Sequence, residues 1–381
     1  MSEYIVIGVI VAAFAVAGVL SYFFTPPVKL FAYKVGAIDI PKDNRRMHKE
    51  PIPRLGGLAI FGGFLCSILI FGELDQTMLC VLLGATMIVA LGIFDDVLAL
   101  GAKLKFVVQI VAAAIPVCVG GLQIQLFTSL NPFSDAPYFH LGIFAIPVTI
   151  IWIVGITNAV NLIDGLDGLA VGVSSIAAIT MLAVALLTGN MTIAVTMAAL
   201  AGACIGFMPY NLNPAKIFMG DTGSTFLGYI LATVSIMGLF KFYAVISFAV
   251  PFLILGLPIF DTANAIIRRV AEGRSPMSPD RGHVHHKLID MGFNQKQAVA
   301  ILYAISATLG LTAVVLTSSG EVKAIILLLA VLAAILVGAC IIYGAEHWGK
   351  HEPPEGEQLP PHDELDDPPE AEQEEKNDGQ D

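Results

Sequence analysis

Long runs of apolar residues limit what this chain can fold into more than any other feature of its sequence. A helix needs about 20 apolar residues to cross a bilayer, and a backbone in hydrocarbon must satisfy its own hydrogen bonds. The sequence is 56% hydrophobic and only 13% charged, which is typical of an integral membrane protein. We therefore predict an all-α, polytopic integral membrane protein with about eleven transmembrane helices, over residues 3–24, 55–73, 77–94, 105–121, 143–160, 169–187, 191–208, 223–240, 243–260, 298–318 and 323–343.

The basic residues predict the orientation of these helices. If the loops alternate across the membrane, 18 of the 20 lysines and arginines lie on one side, and only Lys241 and Lys323 lie on the other. Loops rich in lysine and arginine stay in the cytoplasm. We therefore expect the N-terminus outside and the C-terminus inside. The first run has no basic residue before it and no small-residue cleavage site, which favours a retained helix over a signal peptide.

The net charge of −11 belongs to the C-terminus of the chain. Residues 346–381 carry 14 acidic and 2 basic residues, whereas the rest of the chain carries 17 acidic and 18 basic ones. We predict a transmembrane domain over residues 1–345, with its functional site at the cytoplasmic face, and an acidic, disordered cytoplasmic tail over residues 346–381. The five cysteines lie in apolar runs and form no C-x-x-C pair, so we expect neither a disulfide nor a zinc site.

Polar clusters interrupt the apolar runs, and the predicted topology places all of them at the cytoplasmic face. One holds two asparagines, two aspartates and two glycines between two predicted helices. Carboxylates, basic residues and glycines at one membrane face suit a diphosphate held by Mg²⁺, because this ion takes carboxylate and phosphate oxygens as ligands. Such positioning is most of what phosphoryl transfer requires. The clusters lie in residues 46–57, 95–109, 158–168, 211–224 and 281–287.

Each cluster also has a simpler interpretation. Asparagine, aspartate and glycine are turn residues, Asp95 and Asp96 could cap a helix or face solvent, Gly220–Ser224 could be an N-cap, and the histidines could lie on the surface. Among other classes of protein, a transporter would place polar residues near the bilayer midplane, and an intramembrane aspartyl protease would need aspartates inside its spans. The carboxylates here lie at predicted helix ends, which argues against both classes.

Five stretches within roughly residues 20–320 resemble the polyprenyl-phosphate N-acetylhexosamine-1-phosphate transferase family. They are FDD at 94–96, NAVNLIDGLDGLA at 158–170, FMGDTGSTFLGY at 218–229, PIFDTANAIIRR at 258–269 and SPDRGHVHHKLIDMGF at 278–293. The sequence is most similar to the undecaprenyl-phosphate N-acetylglucosaminyl-1-phosphate transferase branch, which starts wall teichoic acid linkage units and common-antigen or O-antigen chains. The muramoyl-pentapeptide branch carries a Pro-His-His-His type of motif, where this chain has Arg281-Gly-His283-Val-His285-His286.

The resemblance implies a reaction at the cytoplasmic face of a bacterial inner or plasma membrane. Undecaprenyl phosphate attacks the sugar-linked phosphorus of UDP-N-acetylglucosamine, UMP leaves, and undecaprenyl-diphospho-N-acetylglucosamine forms, with Mg²⁺ or Mn²⁺ as the cofactor. This is the first membrane step of a cell-envelope polysaccharide. Another UDP-N-acetylhexosamine or UDP-muramoyl-pentapeptide is the alternative donor. The implied partners are the two substrates and the lipid bilayer. No nucleic acid is expected, and a homodimer is compatible with the sequence.

The family pattern also implies roles for single residues. Asp221 and Asn161 match the positions that hold the metal ion. Asp95 and Asp96 match an acidic pair that contacts the acceptor phosphate or serves as base, and Lys105 matches a basic residue near that phosphate. The second pKa of a phosphate monoester is about 6, so little proton remains to be removed at neutral pH. We therefore expect Asp95 to orient the acceptor more than to deprotonate it.

The donor is expected to lie against a second group of residues. Phe218 matches an aromatic residue that stacks on uracil, with Gly165 and Asp167 at the uracil edge. His283, which we expect to be catalytic, belongs to a loop that grips the diphosphate and the sugar. The other predicted substrate-binding residues are Asn158, Asp164, Arg281, His285 and His286.

Overall fold

The computed structural model describes residues 3–40, 51–128, 138–238, 244–275 and 282–318. These residues form helices and two short antiparallel ribbons, β1 (Ile38–Asp39) with β2 (Ile52–Pro53) and β3 (Leu126–Thr128) with β4 (Tyr138–His140). A π-helical turn, Ile115–Val119, continues α4. The helices are α1 (Glu3–Val35), α2 (Gly57–Phe71), α3 (Gln76–Leu98), α4 (Ala102–Ala114), α5 (Ala145–Leu162), α6 (Leu169–Leu187), α7 (Met191–Asn211), α8 (Gly220–Gly238), α9 (Ala244–Ile254), α10 (Gly256–Ala271), α11 (Val284–Asp290) and α12 (Gln295–Ser318).

Seven helical stretches in the described part of the chain are long and apolar enough to cross a membrane, and α2 is a shorter apolar helix. The prediction of a helical, multi-pass membrane protein is therefore confirmed, whereas the count of about eleven transmembrane helices is not. The predicted span 323–343 and the predicted acidic tail lie outside the described residues. The seven stretches are Tyr4–Val35, Gln76–Leu98, Ala102–Val119, Gly142–Leu162, Leu169–Leu187, Met191–Asn211 and Gln295–Ser318.

The predicted span 243–260 is not confirmed as one continuous helix, because the helix in its described residues is interrupted at Leu255. The φ and ψ angles of Leu255, −98° and 18°, separate α9 from α10. Pro258 lies in the first turn of α10, where its nitrogen cannot donate the hydrogen bond that would continue α9. The new helix is strongly amphipathic and carries the buried carboxylate of Asp261. The second helix, α10, carries Asp261, whose carboxylate contacts His283.

Helix α8 packs against α2, α3, α5, α6 and α7 and positions the functional site. Two of these neighbours approach its first turn closely because they present glycine there. A Cβ on Gly57 of α2 would lie 2.1 Å from the Cα of Gly223, and one on Gly92 of α3 would lie 2.4 Å from the Cα of Thr222. Small residues at helix crossings allow membrane helices to pack backbone against backbone. The first turn of α8 is thereby fixed between α2 and α3.

Candidate active site

A cavity of about 650 Å³ lies where α3 and α5 end and α8 begins. Its walls hold six carboxylates together with the guanidinium of Arg54. A concave site of this size with convergent polar groups is the usual form of a small-molecule site. The negative charge of the lining favours a ligand that brings a cation with it. The lining carboxylates are Asp39, Asp96, Asp164, Asp167, Asp221 and Asp290.

Asp221, in the first turn of α8, joins four helices through polar side chains. Nζ of Lys105 in α4 donates to Oδ2 of Asp221 at 2.9 Å and to Oδ2 of Asp95 in α3 at 3.0 Å. Nδ2 of Asn161, near the end of α5, donates to Oδ1 of Asp221 at 3.1 Å. The structure therefore brings together four residues that the sequence analysis assigned to the metal ion and the acceptor phosphate.

Asp96 lies beside this group and uses both of its carboxylate oxygens to cap α8. Oδ1 accepts from the backbone N–H of Asp221 at 3.1 Å, and Oδ2 accepts from N and Oγ1 of Thr222 at 3.0 and 2.7 Å. The first N–H groups of a helix lack partners within the helix, and a carboxylate there is stabilising. Arg54 donates to the backbone oxygen of Asp96 at 3.1 Å. This geometry makes Asp96 a positioning residue for Asp221.

Three predicted substrate-binding residues, Asp164, Gly165 and Phe218, line the cavity. Gly165 is exposed, and Asp164 is partly accessible to solvent. Burial, together with the negative charges of Asp221, Asp96 and Asp167, raises the pKa of Asp164 to about 8. The pKa of Asp164 therefore reports on how much negative charge is crowded into the cavity.

Two other predicted residues are engaged by neighbouring side chains. Asp167 lines the cavity, and its Oδ2 accepts from Nδ2 of Asn213 at 2.9 Å and from N of Ala215 at 3.0 Å, which fixes the loop after α7. Asn158 is not among the described residues that line the cavity. Its Nδ2 donates to Oε1 of the buried Gln109 at 2.6 Å, between α5 and α4. Asn158 therefore ties two helices together one turn away from Asn161.

His283 is bonded to a carboxylate that the sequence analysis did not assign. Its Nδ1 lies 2.8 Å from Oδ2 of Asp261 in α10, and both side chains are almost fully buried. The other oxygen of Asp261 accepts from the backbone N–H of Val284 at 2.8 Å. Asp261 therefore fixes the start of α11 and the orientation of the His283 ring. His283 is not among the described residues of the cavity wall.

The other two histidines occupy different surroundings. His285 is buried against the cavity wall, where a Cβ on Gly165 would lie 2.2 Å from its Nε2. Burial and the neighbouring His286 lower the pKa of His285 to about 4, so this ring is neutral at physiological pH. His286 lines the cavity itself. Arg281, the remaining predicted residue of this group, lies outside the described residues.

Asp261, Arg54 and Gln109 are site neighbours to which the sequence analysis gave no role. Asp261 lies inside the recognised stretch PIFDTANAIIRR, and Arg54 lies in the polar cluster 46–57. The signal that could have found Asp261 and Gln109 is a polar side chain within an apolar run, since such residues are costly in a membrane unless they have a partner or a function. Their partners, His283 and Asn158, were visible only in three dimensions.

Comparison with known proteins shows the family to which the chain belongs. Residues 78–239 match glycosyl transferase family 4. Over 311 residues the chain is 44% identical to a protein of Bacillus subtilis (strain 168), in an alignment that covers 81% of this chain and 86% of that protein. The chain therefore belongs to this family of membrane transferases, and the resemblance drawn from its motifs is confirmed.

The relatives carry names that describe one kind of reaction. The Bacillus subtilis protein is a probable undecaprenyl-phosphate N-acetylglucosaminyl 1-phosphate transferase. The decaprenyl-phosphate N-acetylglucosaminephosphotransferase of Mycobacterium tuberculosis (strain H37Rv) is 36% identical, with 75% of this chain and 77% of that protein aligned. The undecaprenyl-phosphate alpha-N-acetylglucosaminyl 1-phosphate transferase of Escherichia coli O157:H7 is 29% identical, with 81% and 85% aligned.

Proposed function

We propose that this protein transfers N-acetylglucosamine 1-phosphate from UDP-N-acetylglucosamine to undecaprenyl phosphate, releases UMP, and so starts a cell-envelope polysaccharide. The names of the aligned relatives support the substrates. The observation that carries the proposal is the convergence of Lys105, Asp95 and Asn161 on Asp221 beside an acidic cavity. The distribution of basic residues supports a cytoplasmic location for this cavity in a bacterial cell membrane.

The lining of the cavity fits a divalent cation. Six carboxylates against one guanidinium would repel a nucleotide diphosphate, and a bound cation reverses that repulsion. Among the described residues no three histidine, cysteine or acidic side chains form a complete metal cage. Mg²⁺ usually takes one or two protein carboxylates and completes its shell with water and phosphate oxygens. Asp221 would therefore hold the ion, with the side-chain oxygen of Asn161 as a second ligand.

The residues of the chain supply positioning and charge. A bound cation contributes neutralisation of the diphosphate. Asp96 fixes the first turn of α8 and thereby the carboxylate of Asp221. Lys105 supplies a positive charge for the acceptor phosphate, whose second pKa of about 6 leaves it mostly dianionic at neutral pH. Phe218 and Gly165 offer an aromatic face and an open backbone for the nucleotide. Phosphoryl transfer depends mainly on such positioning and charge stabilisation.

The bond changes follow from the two substrates. An oxygen of the acceptor phosphate forms a bond to the sugar-linked phosphorus of the donor. The bond from that phosphorus to the oxygen shared with UMP breaks, and the electron pair leaves with UMP. The acceptor enters as a dianion, so Asp95 has no proton that it must remove. Asp95 instead accepts a hydrogen bond from Lys105 and so orients the Lys105 ammonium, which would bind the acceptor phosphate.

The experiment that tests the proposal uses purified protein, undecaprenyl phosphate and a panel of UDP-sugars, with the products identified by mass. We expect UMP and undecaprenyl-diphospho-N-acetylglucosamine to form with Mg²⁺ or Mn²⁺ and to be absent with chelator. A product from another UDP-N-acetylhexosamine or from UDP-muramoyl-pentapeptide, but not from UDP-N-acetylglucosamine, would overturn the assignment of the donor. Failure to release UMP from any donor would overturn the transferase reaction for this chain.

A further inference from the structure

Hydrogen-bond donors occupy both carboxylate oxygens of Asp221. Oδ2 accepts from Nζ of Lys105 at 2.9 Å, and Oδ1 accepts from Nδ2 of Asn161 at 3.1 Å. Each carboxylate oxygen has two lone pairs, and one on each is engaged here, so a cation bound by Asp221 has to share these oxygens with Lys105 and Asn161 or displace them. The observed contacts are those of a carboxylate neutralised by the protein itself.

The orientation of the Asn161 amide is fixed by a third side chain. Oγ of Ser224 donates to the backbone oxygen of Gly220 at 3.0 Å, so its lone pairs remain to accept from Nδ2 of Asn161 at 2.8 Å. Nδ2 therefore points toward both Ser224 and Asp221. The side-chain oxygen of Asn161, which is the atom that could bind a cation, is turned away from Asp221 in this arrangement.

Lys105 performs the electrostatic task of a cation at this position. Its ammonium lies within 3.0 Å of carboxylates from two different helices, Asp95 in α3 and Asp221 in α8. The Lys105 side chain is only 28% exposed, and charges that are partly removed from water interact more strongly than exposed ones. Without this ammonium, the two carboxylates would lie near each other with no positive charge between them.

We infer that Lys105 is a built-in substitute cation, which holds the site together while no metal ion is bound and leaves Asp221 when a divalent ion arrives. In the same exchange the amide of Asn161 turns its oxygen toward the ion. The released ammonium is then free for the acceptor phosphate. This inference rests on the proposed function for the identity of the ion and of the acceptor. The simpler alternative is that Lys105 is a permanent ion-pair partner, which the metal ion leaves in place.

The first test measures Mn²⁺ binding without substrates, by electron paramagnetic resonance of the free ion, on the purified full-length protein. If Lys105 competes with the ion, Lys105→Met should bind Mn²⁺ more tightly, by about tenfold, which is an ordinary coupling between two ligands of one site. Lys103→Met is the matched control, because Lys103 is on the same helix two residues earlier and is exposed. Its Mn²⁺ affinity should equal that of the wild type.

The second test measures thermal unfolding in chelator and in Mg²⁺. Lys105→Met should melt at a lower temperature than the wild type in chelator, because two carboxylates have lost their shared cation, and Mg²⁺ should raise its melting temperature by more than that of the wild type. Lys105→Gln, which keeps a donor but no charge, should show the same difference. If Lys105→Met unfolds in chelator but is folded in Mg²⁺, the dependence of its fold on the metal ion is the expected result.

The two tests separate this inference from the proposed function. Mn²⁺ binding by Lys105→Met that equals or falls below that of the wild type would overturn the inference, even if the wild type makes the expected lipid product. An equal response of both proteins to Mg²⁺ would overturn it as well. If the wild type binds no Mn²⁺ and makes no product with any divalent ion, the proposed function itself fails.

Discussion

Asp96 and Thr222 are joined by two hydrogen bonds to the same oxygen, from Oγ1 of Thr222 at 2.7 Å and from its backbone nitrogen at 3.0 Å. This contact attaches the end of α3 to the start of α8. The next residue toward the N-terminus, Asp221, donates its own N–H to the other oxygen of Asp96. The position of the Asp221 carboxylate therefore depends on Asp96, although the two carboxylates repel each other.

Removing the Asp96 carboxylate should therefore damage both stability and turnover. In Asp96→Ala two N–H groups and one hydroxyl lose their acceptor, and an unsatisfied buried group costs about 1–3 kcal/mol. A misplacement of Asp221 should lower kcat by about 100-fold or more. Thermal unfolding and steady-state kinetics measure the two effects.

The matched control for Asp96→Ala is Asp75→Ala. Asp75 caps the other end of the same helix, with its carboxylate 2.7 Å from N of Met78, so this variant should lose about 1 kcal/mol of stability and keep its turnover. Wild-type turnover in Asp96→Ala would contradict the positioning role.

The pair Asp261 and His283 should behave as one unit. Asp261→Ala removes the partner of the His283 ring and the cap of α11, and His283→Ala removes the other half of the same contact. We expect each variant to lower kcat/KM for the donor, and the double variant to lose little more than the worse single one, because residues that act together are not additive. Losses that simply multiply in the double variant would show that the two residues act separately.

The pH dependence of stability should report on Asp164. Folding raises the pKa of Asp164 from 3.8 to about 8, so the folded protein binds this proton more tightly than the unfolded chain does. The contribution of Asp164 to stability is therefore fully present below pH 3.8 and is lost as the pH rises through about 8. In chelator, the melting temperature of Asp164→Asn should fall less than that of the wild type across this window.

The control for this titration is Asp290→Asn, which removes an exposed carboxylate that also lines the cavity. It should retain the pH dependence of the wild type. Mg²⁺ should reduce the dependence in the wild type, since a cation offsets the crowded negative charge. A melting temperature of Asp164→Asn that follows the wild-type curve in chelator would refute the assignment.

Donor choice should depend on His286 more than on the other two histidines, because His286 lines the cavity. We expect His286→Ala to change the ratio of kcat/KM for UDP-N-acetylglucosamine and UDP-N-acetylgalactosamine by about tenfold, the value of one hydrogen bond. His285→Ala, which alters a buried ring behind Gly165, should lower both values by the same factor. Equal losses for both donors in His286→Ala would make this residue a phosphate contact with no part in the choice of sugar.

The sequence predicted the group around Asp221 because its members lie at helix ends on one side of a predicted topology. Asp95, Lys105, Asn161 and Asp221 each follow or begin a long apolar run, so the alternation of the loops was enough to bring them together. The sequence did not predict which of these side chains bond to each other. The amide of Asn161, for example, has a donor nitrogen and an acceptor oxygen of similar size, and only its neighbours in the fold decide which of the two faces Asp221.

The surroundings of the histidines could not be predicted for a different reason. Three histidines within four positions indicated a shared role, but a short helix points successive side chains in different directions. His283 turns toward Asp261 in α10, and the sequence placed α10 partly inside a membrane span. The structure instead begins α10 after a break at Leu255. The contact of Asn158 with Gln109 did not follow from the sequence either, because the polar clusters 95–109 and 158–168 indicated no pairing between their individual members.

Gly57 lies close to Gly223, and Gly92 lies close to Thr222. These contacts leave no room for the first turn of α8, which carries Asp221, to shift. A single methyl group on either α2 or α3 would push the first turn of α8, and Asp221 with it, out of place. His286, which we propose to face the sugar, lies on a helix of only seven residues, Val284–Asp290. On the proposed roles of Asp221 and His286, the groups for phosphate transfer and for the choice of sugar lie on helices of different length and packing. We expect retargeting to a new donor to arise through changes in residues 282–290, with the phosphate-transfer machinery left intact.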